Sequence, residues 1–71
     1  MFEVSVEVPG ALARRVVGER DSYALAEERC VECFRAHFHP DARWRVRDVD
    51  SGQVWQAHLS SQSSRVWLLP V

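Results

Sequence analysis

Residues 43–49 and 54–60 each alternate polar and apolar side chains, and the four residues between them, Asp50-Ser51-Gly52-Gln53, are turn formers. Period-two alternation marks a half-buried strand, and two such strands joined by a short loop containing glycine read as a hairpin. Pairing Val49 with Val54 sets Asp48 opposite Trp55, Val46 opposite Ala57 and Trp44 opposite Leu59. Opposite residues share a face. Trp44, Val46, Trp55, Ala57 and Leu59 therefore form one apolar side, and Arg43, Arg45, Arg47, Gln56, His58 and Ser60 form the other. A slip of one residue would scramble both sets, so the two faces are strongly specified.

The apolar side needs a cover, and the stretch after Asp21-Ser22 supplies one. Either residue can cap a helix, and the residues from Ala24 to Arg29 are mostly strong helix formers. At 100° per residue Tyr23, Ala26, Cys30, Cys33, Phe34, His37 and Phe38 share one side, with Glu28, Arg29, Glu32 and Arg35 opposite. Pro40 disfavours helix at the residue before it, so the helix should stop near Phe38. Upstream, residues 2–8 alternate without fault, with Phe2, Val4, Val6 and Val8 inward, and Pro9-Gly10 turns the chain. The stretch 11–20 fits either a helix start or a returning strand; the strand is preferred, through Arg14-Arg15-Val16-Val17. Residues 65–69 form a last strand that is apolar on both sides: Val66 and Leu68 on one, Trp67 and Leu69 on the other. Which pair is buried stays open.

These elements predict a single α+β domain over residues 1–71: one helix across a four- to five-stranded antiparallel sheet, in the order β(β)αβββ. The expected core is Phe2, Val4, Val6, Ala26, Cys30, Phe34, Trp44, Val46, Trp55, Ala57 and Leu59. At 71 residues that core is marginal. No apolar run approaches the ~20 residues of a membrane span, and the first residues resemble no signal peptide. A cytoplasmic protein without membrane contact is expected.

Charge narrows the partners. All nine basic residues are Arg, against ten Asp plus Glu, for a net charge of −1. A non-specific nucleic-acid binder would be more basic. Arginine's planar, multi-donor head favours interfaces, so the comb of Arg43, Arg45 and Arg47 reads either as a solvated face or as a contact surface. Gln56 and His58 lie on the same side, and Trp67 would add an aromatic anchor if it emerges there.

Catalytic and metal readings fare worse. Cys30 and Cys33 lie about two turns into the helix on its apolar side, whereas a redox CxxC sits at a helix N-terminus. Buried free thiols are the simpler reading. Cys30, Cys33, His37 and His39 are zinc-type ligands, but one straight helix rarely wraps an ion. No serine is set beside a histidine with an acidic partner. No enzyme, cofactor or metal is expected.

The order strand, strand, helix and three antiparallel strands resembles that of small phage-encoded anti-CRISPR proteins. The likeness lies in Ser22-x-x-Leu25-Ala26 opening the helix, Val46-Arg47-Asp48-Val49-x-x-Gly52 at the hairpin, and Trp55 with Arg65-Val66-Trp67 closing the sheet. It covers roughly residues 20–69 as an architecture, and implies no functional residue by position. It does imply a non-catalytic inhibitor, in the host cell cytoplasm, that binds a larger protein or ribonucleoprotein complex such as a CRISPR effector subunit. The expected contact residues are Arg43, Arg45, Arg47, Gln56, His58 and Trp67. A nucleic-acid-binding sheet and a small homodimer remain alternatives.

Overall fold

Ser22 converts the end of a strand into the start of a helix. Its hydroxyl accepts the backbone N–H of Leu25 at 3.2 Å, and its carbonyl accepts Ala26 N–H at 3.1 Å, so the helix begins at Tyr23. Ser22→Ala is expected to cost about 1 kcal/mol, read as a lower urea midpoint with unchanged slope. The structure, a computed structural model, describes residues 1–10, 13–36, 41–60 and 65–71, the side chains of Leu59, Ser60 and Arg65 excepted. Its elements are β1 (Phe2–Glu7), β2 (Arg15–Arg20), α1 (Tyr23–Ala36), β3 (Arg43–Asp48), β4 (Val54–Ser60) and β5 (Arg65–Pro70). The strands form one antiparallel sheet in the order β2-β1-β3-β4-β5, with α1 packed on one face. The α+β two-layer architecture read from the sequence is the one observed.

The core lies between α1 and the sheet. Val4, Ala26, Cys30 and Val46 are fully buried, and Cys33, Phe34, Trp44 and Ala57 are nearly so. Phe2, Val6, Val17, Trp55, Val66 and Leu68 pack around them, half-buried. At the start of α1, Tyr23 meets Trp55 edge-on at 5.3 Å between centroids and Phe2 edge-on at 6.1 Å, closing the core with rings. Leu59, the remaining expected core side chain, lies outside the described residues, as do His37, Phe38 and the expected helix end.

Three details differ from the sequence reading. The hairpin pairs Trp44 with Ala57 and Val46 with Trp55, two residues away from the predicted register. An even shift preserves both faces, so the sorting of side chains survives. The loop chemistry sets the new register: the Asp48 carboxylate accepts Asp50 N–H and the Ser51 hydroxyl, each at 3.0 Å. Gly52 closes the loop at a φ of 81°. The Ser51 hydroxyl, followed by backbone N–H groups, holds the Asp48 carboxyl below its ordinary pKa despite some desolvation. Such a lowered group loses its contribution as pH falls through its folded-state pKa.

The second strand runs to Arg20 rather than ending before Gly18, and it carries a bulge. Val4 pairs with Gly18 and Ser5 with Val16, which leaves Val17 as the extra residue. Arg29, assigned by the helical wheel to the outer face of α1, bends down to this bulge. Its Nε and Nη2 donate to the Val17 carbonyl at 3.1 and 2.9 Å. The arginine stem passes over Gly18, where a Cβ would come within 3.1 Å of it. The bulge exposes a carbonyl, and the guanidinium satisfies it.

Candidate partner-binding face

The sheet face opposite α1 is built strand by strand from residues of one parity. Glu3, Ser5 and Glu7 on β1 pair with Arg47, Arg45 and Arg43 on β3. Arg45 and Arg47 pair with Gln56 and Val54 on β4, and Gln56 and His58 pair with Leu69 and Trp67 on β5. Every expected contact residue, Arg43, Arg45, Arg47, Gln56, His58 and Trp67, thus falls on one surface. The ambiguity of the last strand is resolved here. Val66 and Leu68 pack toward the core, while Trp67 and Leu69 emerge beside the arginine comb, 45% and 52% exposed.

The acids of β1 lie directly across from the comb without an ion pair to it among the described residues. Glu7 gives its carboxylate to Arg14 at 2.8 Å instead of to Arg43. Arg14 also donates to the Arg43 carbonyl at 3.0 Å and approaches Ser5 Oγ at 3.4 Å, which helps to bury Ser5 on an otherwise open face. Among the described residues, no carboxylate lies within 4.0 Å of the Arg43, Arg45 or Arg47 guanidinium. Alternate residues of a strand stand about 6.6 Å apart. The backbone positions of Arg43, Arg45 and Arg47 follow that spacing along β3.

Arg14 is the residue of this face that the sequence reading missed. The sequence reading put it at the start of an ambiguous strand, whereas β2 begins at Arg15, and nothing local announced that its side chain would cross β1. The available signal was the charge of Glu7 on a face expected to meet other elements.

The other chemistry-bearing groups are placed differently. Cys30 and Cys33 are free thiols within the core, and desolvation, with Cys33 close by, pushes the Cys30 pKa up to about 12. That is opposite to the activated thiolate a redox pair requires. His37 and His39 lie outside the described residues. A cavity of about 640 Å³ between the β1–β2 side of the sheet and α1 includes Val6, Val8, Val17, Cys33 and Trp44 in its wall, with Arg15 and Arg29. No histidine or carboxylate lines it among the described residues. No helix among the described residues is long and apolar enough to cross a membrane. Comparison with known protein families, curated proteins and solved structures finds no match to this chain.

Proposed function

We propose that the chain is a non-catalytic protein-binding module that docks through its open sheet face. The observation that carries this reading is the row Arg43, Arg45 and Arg47, without a carboxylate within 4.0 Å among the described residues and flanked by the exposed side chains of Trp67 and Leu69. Arginine and tryptophan are the residue types that dominate binding energy at protein interfaces. The partner's complementary patch carries carboxylates spaced by one turn of helix or two residues of strand, beside an apolar pocket. In the form the anti-CRISPR resemblance implies, the module is a cytoplasmic inhibitor seated on a subunit of a CRISPR effector complex.

Affinity capture from a host lysate, followed by titration against the purified captured protein, tests the reading. Arg45→Glu reverses the central charge of the comb and is expected to weaken binding at least about tenfold with the fold intact. Equal binding by the variant would refute the surface. A nucleic-acid partner would instead show log K falling with log salt at a slope near −3 for three phosphate contacts on duplex DNA, and would replace this reading.

A further inference from the structure

The two edges of the sheet differ in how they are guarded. β2 carries the bulge, and its Val17 carbonyl is taken by Arg29. β5 has no neighbour on its outer side among the described residues. Hydrogen-bond parity shows what β5 presents there. Val71 N–H donates to the Val54 carbonyl at 3.0 Å in the same register that pairs Gln56 with Leu69 and His58 with Trp67. In an antiparallel ladder, bonded pairs alternate with non-bonded ones. Residues 67, 69 and 71 therefore point their backbone groups at β4, and Val66, Leu68 and Pro70 point theirs outward. Proline sits where its missing N–H leaves the β4 ladder intact.

We infer that β5 is a pairing edge for a second copy of the same chain, joined antiparallel about a two-fold axis at Leu68 into a ten-stranded sheet. In that register each Leu68 N–H donates to the other Leu68 carbonyl, and each Val66 N–H donates to the opposite Pro70 carbonyl. All four outward N–H groups are satisfied, and the absent proline donors are not needed. Trp67 of one copy faces Leu69 of the other, which covers the exposed apolar strip on both sides of the axis. The axis is normal to the sheet, so both arginine combs remain on one open surface.

Stacking the open faces of two copies would work against itself. A centred two-fold in the plane of the sheet lays β3 over β3 and sets comb against comb, a like-charge contact. The guarded β2 edge also stops further strand addition, so the assembly closes at two. An edge contact of six residues is small beside the roughly 1,200–2,000 Å² of standard interfaces, and the dimer should therefore dissociate on dilution.

Sedimentation equilibrium over a wide concentration range, with residue-resolved amide exchange at each end, tests this. The expected result is a monomer–dimer equilibrium in which the Val66 and Leu68 amides become protected as concentration rises. The Trp67 and Leu69 amides, bonded to β4, should be protected throughout. Leu69→Lys, at an exposed position, should shift the equilibrium to monomer with an unchanged far-UV spectrum, while Arg45→Glu should leave the dimer intact. A monomer at every concentration with fast exchange at 66 and 68 would overturn the inference. So would a dimer in which those two amides stay unprotected, or protection that requires a different protein.

Discussion

Trp44→Ala is expected to remove roughly half or more of the chain's folding stability at 25 °C. Trp44 is 4% exposed, sits between Val6 on β1 and Ala57 on β4, and belongs to the buried cluster under α1. Removing a buried indole costs about 3–5 kcal/mol, because the cavity adds to the lost transfer energy. A 71-residue chain holds only about 4–10 kcal/mol in total at typical stability per residue. Urea titration followed by circular dichroism measures the loss. Leu69→Ala, half exposed on the other face, is the control and should shift the midpoint little. A Trp44→Ala protein with a wild-type midpoint would mean that the core is not where the burial places it.

The second large effect concerns the thiols. With the Cys30 pKa raised from 9.0 to about 12, its thiolate fraction near pH 8.5 falls roughly a thousandfold relative to the unfolded chain. Alkylation of Cys30 by iodoacetamide should therefore be slower in the native protein by about that factor, and slower still where burial blocks access. The same shift makes stability depend on pH. Well below pH 9 the thiol is neutral in both states, and its contribution is fully present. As pH rises from 9 toward 12 the unfolded chain releases the proton first, so stability falls by up to about 1.4 kcal/mol per unit. Thermal melts at pH 8, 9.5 and 10.5 should show a progressive fall that is smaller in Cys30→Ala, where the raised N-terminal and Tyr23 groups alone remain. Rapid native alkylation at pH 8 would show that the thiol is not buried.

Much of the candidate face was legible because side-chain parity survives errors of register. The predicted hairpin was two residues out, yet Arg43, Arg45, Arg47, Gln56 and His58 kept their side. The error came from the loop, where the Asp48 carboxylate gathers the Asp50 N–H and the Ser51 hydroxyl. Hydrophobic alternation carries no information about such a bond. Arg29 shows a different limit. Its helical angle is correctly outward, but the Val17 carbonyl that draws it in exists only because β2 bulges.

The sequence by itself determined the types of all the elements but the second, the antiparallel hairpin and which residues of the first, third and fourth strands share a side. Those follow from periods of 2 and 3.6, which are local. Tertiary structure decided what no period encodes. It placed Trp67 and Leu69 outside, because β5 is apolar on both sides and α1 covers only Val66 and Leu68. It diverted Glu7 to Arg14, because an arginine nine residues from Ser5 folds back across β1. It also left β5 as the unguarded edge, because sheet order is set by where α1 carries the chain and not by any strand's own composition.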